Sequence, residues 1–332
     1  MGAIDLEKYK DVVNVSEMPP GATGYELIEA AKSYDDMVAA DINVQEGSAV
    51  VRRIPEKKPN GDLFEWPPSC NVTDFIGVKN QNQVGACGGN ATAQAGEGCS
   101  WIATGGEAKR YSGWAQYILA QEKDGLRQRN GGFTRDLDVG STPTGNAQAF
   151  MEVGLVPEEM CPNEPMTYDR GWEVTDEMRE AASKNKIKTA VRIKTVKQAK
   201  RFLEAGMGFL TLACKWMAHF DQPNADFVLK DFNGPPRQDR HGGGHLTAIM
   251  GWFEHPKYGL CFVLVNSWSP KWMDDGAVLV TAQWLFDALK DSFTIVTGFS
   301  DMLLEDKGDA EPEMFEPRVV PIDGGSIFGR RK

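Results

Sequence analysis

The chain has 332 residues, of which 41% are hydrophobic and 25% are charged, the proportions of an ordinary folded protein. Its formal net charge of −11 argues against a nucleic-acid-binding surface and against binding to anionic membranes. No apolar run approaches the ~20 residues of a membrane span, and the N-terminus lacks the basic start and apolar core of a secretory signal. We therefore expect a cytoplasmic protein, long enough for one large domain or two small ones.

Residues 1–65 are interpreted as an N-terminal extension, either a docking segment or a short propeptide. Apolar residues at helical spacing predict a helix over residues 25–40. Segments rich in proline and glycine at residues 19–21 and 55–61 flank this helix and are typical of turns and linkers.

The main domain is predicted to span residues 66–303 and to begin with helices over residues 87–103, 113–121 and 141–154. The third helix has a clear start signal in Ser141-Thr142-Pro143, because serine or threonine caps a helix and proline suits its first turn. The first helix contains four glycines, and each interior glycine costs about 1 kcal/mol relative to alanine. We therefore expect close packing at a domain interface to hold the first helix.

The second half of the chain is predicted to be rich in strands. Two helical patterns within residues 176–206 flank a strand at 186–191, and further strands are predicted at 208–214, 245–253, 260–266, 276–280 and 293–297. Helices followed by strands indicate an α+β chain with two lobes. Residues 304–332 form an acidic tail rich in proline and glycine that has no amphipathic period, so we expect a partner to hold it.

Six cysteines are present, and one of them stands out. They show no paired spacing and no Cys-x-x-Cys motif, which argues against a disulfide framework. Cys87 follows Gly85-Ala86 at the predicted start of a helix, where the positive end of the helix dipole favours the nucleophilic thiolate. A buried structural thiol is the alternative for Cys87, and it is the expectation for the other five cysteines.

A histidine and an asparagine follow Cys87 in the order that a nucleophile, its base and the group orienting that base require. His245 is favoured over His241 as the base because an apolar strand with Gly251-Trp252 follows it. The candidate orienting residue is Asn266. The spacing of the two histidines is not a zinc motif, since the glutamate is missing and three glycines make a poor helix. The sequence implies no metal and no organic cofactor.

These motifs resemble the papain family of cysteine peptidases. The closest similarity is to a branch of bacteria and their viruses, in which the nucleophile segment reads like Gln-x-Gln-Leu-Gly-Ser-Cys-Thr-Ala-Asn-Ala. The resemblance covers roughly residues 66–300 and rests on three separated motifs in the right order. The matching positions are Gln81, Gln83, Gly85, Cys87, Asn90 and Ala91, then His245 with Gly251-Trp252, then Asn266-Ser267-Trp268 with Trp272.

The resemblance implies a two-lobed papain-like fold, in which a helical lobe carries the nucleophile helix and an antiparallel β-rich lobe follows. It also implies a cysteine endopeptidase that acts on peptide or protein substrates. Gln81 would form an oxyanion hole with the backbone N–H of Cys87. Trp268 would shield the hydrogen bond of the histidine and line the substrate site, and Gly140, with Ser141 beside it, would bind the substrate backbone.

Several positions depart from the family pattern. Val84 stands where secreted relatives have a disulfide-bonded cysteine, which agrees with a reducing compartment. Gly88 and Gly89 replace a tryptophan or threonine and an alanine, while Ser269 and Met273 replace glycines of the Asn-Ser-Trp motif. None of these changes removes a catalytic atom, but together they allow a loosened site with weak or no activity.

Two other functions remain open at this point. The domain could be a structural or assembly component, for example of a virus particle, with partners bound through residues 1–65 and 304–332; a peptidase carried in a particle would combine both roles. A transglutaminase or cell-wall amidase shares the cysteine–histidine chemistry, but the position of Gln81 and the Asn-Ser-Trp motif disfavour it. Neither nucleic acid nor a membrane is an expected partner.

Overall fold

The computed structural model describes residues 76–104, 107–127, 138–167, 173–204, 206, 208–222, 227–235, 244–255 and 257–304. The predicted helix at residues 25–40, the extension 1–65, and the tail after residue 304 lie outside the described residues. The domain boundaries, the partners of both end segments and the cytoplasmic location stay predictions. Within the described ranges, no helix combines the length and apolarity that a membrane crossing requires.

Four helices come first in the described part of the chain, as predicted. Their starts follow from local capping, since the hydroxyls of Ser112, Thr142 and Thr175 each accept a hydrogen bond from a backbone N–H in the first turn of the helix that follows. The helices are α1 (Cys87–Thr104), α2 (Gly113–Lys123), α3 (Pro143–Glu152) and α4 (Asp176–Ser183).

The rest of the described chain forms a seven-stranded sheet with two further helices. The strands lie in the order β1-β7-β2-β4-β5-β6-β3, and every neighbouring pair is antiparallel except β3 with β6. Helices followed by a mostly antiparallel sheet confirm the predicted α+β class. The elements are β1 (Asn185–Ile193), α5 (Val196–Glu204), β2 (Gly208–Lys215), β3 (Val228–Leu229), β4 (Gly244–His255), β5 (Gly259–Val265), β6 (Ala277–Thr281), α6 (Ala282–Lys290) and β7 (Ile295–Leu304).

The predictions missed some elements. Helix α6 and the two-residue strand β3 were not predicted, and the last strand continues to Leu304 instead of ending at residue 297. Strand β7 is longer because it pairs with β2 as far as Ser300 and with β1 from Val296 to Leu304. Pairing with β1 therefore extends the strand beyond the apolar run that marks it in the sequence.

The glycines of α1 allow close packing, as the sequence analysis expected. A Cβ atom on Gly89 would lie 2.3 Å from the carbonyl oxygen of Gly113 and 2.6 Å from the backbone nitrogen of Tyr117 in α2. A Cβ atom on Gly98 would lie 2.4 Å from the ring of Phe209 in β2. Helix α1 is thus in contact with α2 on one side and with the sheet on the other.

The packing of α1 on the sheet brings three distant segments of the chain together. Cys87 and Ala91, in the first turns of α1, share one buried apolar cluster with Ala213 of β2 and Leu246 of β4. Strands β4 and β5 are antiparallel, so the start of β4 and the end of β5 lie side by side at the same end of the two strands. His245 lies at the start of β4 and Asn266 directly follows β5, so both lie at this end of the sheet.

Candidate active site

Cys87 is the first residue of α1, and its side chain is buried. The carboxylate of Asp138 accepts the N–H of Gly85 at 2.9 Å and 3.2 Å and so fixes the loop that leads into the helix. The first N–H groups of a helix lack partners within the helix, and they place a partial positive charge at this end. Cys87 belongs to the same buried apolar cluster as Leu246, the residue next to His245 in β4.

His245 and Asn266 are joined by a short hydrogen bond. The imidazole Nε2 lies 2.7 Å from Asn266 Oδ1, and the backbone N–H of Ser267 donates to the same oxygen at 2.7 Å. Because a backbone N–H can only donate, the shared atom is the amide oxygen, and Nε2 must carry a proton. In a neutral imidazole, Nδ1 is then the nitrogen with the lone pair, which is the arrangement that a general base needs.

Two tryptophans surround the imidazole ring. The ring of Trp268 stacks on His245 with centroids 4.9 Å apart and an angle of 29° between the planes. The ring of Trp216 meets the imidazole at 83°, with centroids 4.8 Å apart. Trp268 lies where the sequence analysis expected a shield, whereas Trp216 was not selected. The sequence contains no direct indication of Trp216. Its position becomes meaningful only in the structure, where Cys214, two residues earlier, pairs with His245 across β2 and β4.

Gln81 is held by the same segment that carries Asn266. Its backbone N–H donates to the carbonyl of Ser267 at 2.9 Å, and the Ser267 hydroxyl donates to Gln81 Oε1 at 2.6 Å. The side-chain amide of Gln81 donates to the carbonyl of Val84 at 2.9 Å. The candidate oxyanion-hole residue therefore shares Ser267 with the candidate orienting residue, a link that the sequence did not reveal.

A buried ionic network, also missed in the sequence, secures the segment before Gln81. The fully buried carboxylate of Glu97 in α1 accepts from Lys79 Nζ at 2.7 Å and from Arg110 Nη1 at 3.0 Å. It also accepts the backbone N–H groups of Gly77 at 2.7 Å and Tyr111 at 3.2 Å. A glutamate within a helix of small residues is a weak signal, because its partners lie in other parts of the chain.

Gly140 and Ser141, the candidate substrate-binding residues, are both buried. Gly140 has φ +83 and donates its N–H to the hydroxyl of Tyr117 at 3.1 Å. The Ser141 hydroxyl accepts from Asn146 Nδ2 at 2.9 Å, and it would lie 2.8 Å from a Cβ atom on Gly88. The glycine after Cys87 therefore makes room for these two polar side chains. Contact of Gly140 and Ser141 with a substrate stays a prediction.

Burial shifts the pKa values of several groups near the site. It raises the pKa of Tyr117, and Asp138 beside it adds to the rise, so Tyr117 stays a neutral donor. Burial raises the pKa of Asp124 to about 6, although hydrogen bonds from Thr142 oppose the rise. Burial also raises the pKa of Cys214, which keeps that cysteine in the thiol form. Cys214 is one of the four other described cysteines, all of them buried thiols outside disulfides, as expected.

Among the described residues, no group of three or more His, Cys, Asp and Glu side chains is arranged to hold a metal ion. The candidate residues offer a thiol, an imidazole and amides as reactive and polar groups. These are the groups that acyl transfer through a thioester uses.

Comparison with known proteins gives a likeness in structure. No protein-family model matches the chain, and no curated protein sequence matches it. The chain is similar to the cysteine protease xylellain of Xylella fastidiosa at 16% identity and a TM-score of 0.52, over 72% of this chain and 87% of that one. It is also similar to the proform of Amb a 11, a ragweed pollen cysteine protease, at 16% identity and a TM-score of 0.53, over 84% of this chain and 76% of that one. The chain has the papain-like fold.

A third papain-like structure, procathepsin B of Trypanosoma congolense, matches at 15% identity with a TM-score of 0.52, over 70% of this chain and 74% of that one. Similarity at this level concerns the fold alone. It confirms the expected papain-like architecture of helices followed by a β-rich part, and the roles of individual residues must be argued from their own geometry.

Proposed function

We propose that the chain is a cysteine endopeptidase that hydrolyses peptide bonds through Cys87, His245 and Asn266. The observation that carries this proposal is the 2.7 Å hydrogen bond between His245 Nε2 and Asn266 Oδ1, in an acceptor arrangement that puts the proton on Nε2. The Nδ1 lone pair is then available for a proton from a thiol. The papain-like fold and the position of Cys87 at a helix N-terminus agree with this role.

In the first step, His245 Nδ1 takes the proton of the Cys87 thiol. The thiolate attacks the peptide carbonyl carbon, a C–S bond forms, and the carbonyl oxygen becomes an oxyanion. Gln81 and the backbone N–H of Cys87 donate hydrogen bonds to that oxygen. The imidazolium then gives its proton to the leaving amine, and the C–N bond breaks to leave a thioester.

In the second step, water replaces the amine. His245 takes a proton from the water molecule as it attacks the thioester. The carboxylic acid product leaves when the C–S bond breaks, and the imidazolium returns its proton to the sulfur of Cys87. Asn266 keeps the imidazole in one tautomer during both steps, because its oxygen accepts from Nε2–H in the neutral and the charged ring. Trp268 covers this hydrogen bond and keeps water away from it, which strengthens the bond.

The burial of the candidate catalytic side chains favours a second candidate function, a structural or assembly role. The side chains of Cys87 and His245 are both 0% exposed, so a peptide reaches them only after a movement that uncovers the site. A papain-like domain that serves as a structural or assembly component would need no such movement. The two candidates therefore differ in whether the folded protein reacts with an added thiol reagent.

Titration with an epoxide inhibitor of thiol proteases, followed by mass spectrometry, separates them. We expect a single adduct on Cys87, together with cleavage of a peptide library, and neither in the Cys87→Ala variant. Cys161→Ala is the matched control, because Cys161 is a buried free cysteine of the helical part and its loss should leave the adduct unchanged. A folded wild-type protein that forms no adduct and cleaves no peptide would overturn the proposal and support the structural role.

A further inference from the structure

Trp216 contacts the candidate base His245 and also the aromatic and polar residues around it. It follows β2, is 1% exposed, and contacts the imidazole of His245 through the perpendicular ring arrangement described above. Its ring centroid also lies 5.3 Å from Trp268, the ring that stacks on a face of the imidazole, and 6.4 Å from Trp272. The indole of Trp216 therefore touches both the base and the residue that shields it.

The orientation of this indole is itself fixed from the side away from the base. Trp216 Nε1 donates to Asp221 Oδ1 at 3.1 Å, and the ring of Phe220 meets the indole at 88° with centroids 5.1 Å apart. Both partners belong to the short 3₁₀ helix Ala218–Asp221. The hydrogen bond sets the rotation of the indole about its side-chain bonds, and the aromatic contact limits its displacement.

We propose that Trp216 is a positioning residue for His245, an inference that rests on the proposed peptidase mechanism. The hydrogen bond to Asn266 fixes one atom of the imidazole but leaves rotation around that atom. The stacked Trp268 limits movement perpendicular to the imidazole plane, and the crossed indole of Trp216 limits movement within it. Together the three contacts hold Nδ1 in one direction while the proton moves.

The stacked indole also suits the charge that His245 acquires. A cation over the face of an aromatic ring, within about 6 Å of its centroid, is attracted by the ring's electrons. The imidazole lies over the face of Trp268, with centroids 4.9 Å apart and 29° between the planes. Trp216 contacts both of these rings and would thus keep the charged base in place on Trp268 after Cys87 loses its proton.

Steady-state kinetics of three variants test the proposal. Trp216→Leu should lower kcat by about tenfold or more, since displacement of a catalytic group by about 1 Å can cost 10²-fold, and it should leave KM nearly unchanged. Trp216→Phe keeps an aromatic wall and should recover most of kcat. Phe150→Leu is the matched control, because Phe150 is a fully buried aromatic residue of α3 whose ring lies 5.5 Å from Phe299 of β7. It should lower stability but leave kcat of the folded protein unchanged.

A second measurement does not depend on activity. Long-range ¹H–¹⁵N spectra of the histidine rings, assigned with His245→Ala, should show one sharp set of His245 ring resonances in the wild type, and broadened or doubled His245 resonances in Trp216→Leu because the ring adopts more than one orientation. An unchanged ring spectrum and unchanged kcat in Trp216→Leu would overturn the positioning role. A wild type without peptidase activity, whose His245 ring still loosens in Trp216→Leu, would instead reject the proposed function and retain the role of Trp216.

Discussion

Replacing Asp124 with asparagine should stabilise the protein at neutral pH and have little effect in acid. Asp124 follows α2, and its carboxylate accepts the backbone N–H of Thr142 at 2.8 Å and the Thr142 hydroxyl at 2.5 Å. Thr142 in turn caps α3 through its bond to the N–H of Gly145. Asparagine has nearly the same shape, carries no charge, and can still accept the Thr142 N–H.

The size of the effect follows from the pKa of this carboxyl group. Burial raises the pKa of Asp124 from its usual 3.8 to about 6 in the folded protein. Between these two pH values the folded state binds more protons than the unfolded state, so stability is highest below pH 3.8 and is lost as the pH rises through 6. At about 1.4 kcal/mol per pH unit, the charged carboxylate costs at most about 3 kcal/mol above pH 6. Partial contact of the side chain with solvent reduces this cost.

Urea unfolding followed by tryptophan fluorescence at pH 4.5 and pH 7.5 measures the effect. Asp124→Asn should gain unfolding free energy over the wild type at pH 7.5, and most of that gain should vanish at pH 4.5. Asp287→Asn is the control of opposite sign, because hydrogen bonds from Gln283 and Lys290 lower the pKa of Asp287. Its loss of stability should be larger at pH 7.5. The same gain for Asp124→Asn at both pH values would refute the argument.

Three further substitutions test the packing. Gly89→Ala should lower the free energy of unfolding in urea by about 1–3 kcal/mol, because its Cβ would lie 2.6 Å from the backbone nitrogen of Tyr117 and overpack the helix contact. Asp275→Gly should raise that free energy by up to about 1 kcal/mol, since Asp275 is exposed and has φ 51, a left-handed conformation that is costly for a residue with a Cβ. Glu97→Gln should lower it by up to about 3 kcal/mol, because the Lys79 ammonium is 3% exposed, loses its closest carboxylate and keeps only Glu158 at 3.6 Å.

For each of these three substitutions, a control variant or an opposite result would contradict the prediction. Gly77→Ala is the control for the first, because a Cβ there meets no atom closer than 3.7 Å; equal losses in both alanine variants would exclude overpacking. A lower stability of Asp275→Gly would show that the left-handed residue is not strained. A double variant, Lys79→Met with Glu97→Gln, should recover part of the loss, and no recovery would exclude the buried charge of Lys79 as its cause.

The sequence was a good guide wherever a local rule decides the structure. The hydroxyl and proline at Thr142-Pro143 predicted where α3 begins, and the glycines of α1 correctly indicated close packing. Helix α6 escaped notice because its apolar residues continue directly from strand β6, although Thr281 caps it as serine and threonine cap the others. Strand β3 is only two residues long and forms through its pairing with β6, which no local pattern records.

In the candidate site, too, the sequence could not reveal the contacts that depend on distant segments of the chain. The sequence selected Cys87, His245 and Asn266 by motif and order, and the structure adds the hydrogen bond between the last two. It could not select Trp216, because contact with His245 depends on the register between β2 and β4. It could not select Glu97 either, since a carboxylate is buried only when charges and donors from other segments approach it, and those partners are not visible in the local sequence.

Ser267 has an unusual place in this arrangement. One hydrogen bond from its hydroxyl reaches Gln81, and one from its backbone N–H reaches Asn266. Gln81, which would donate a hydrogen bond to the substrate oxyanion, and Asn266, which orients His245, are thus both held by Ser267. A substitution of Ser267 would disturb both residues at once. The effects on activity of separate substitutions at Gln81 and Asn266 should therefore be non-additive when the two are combined.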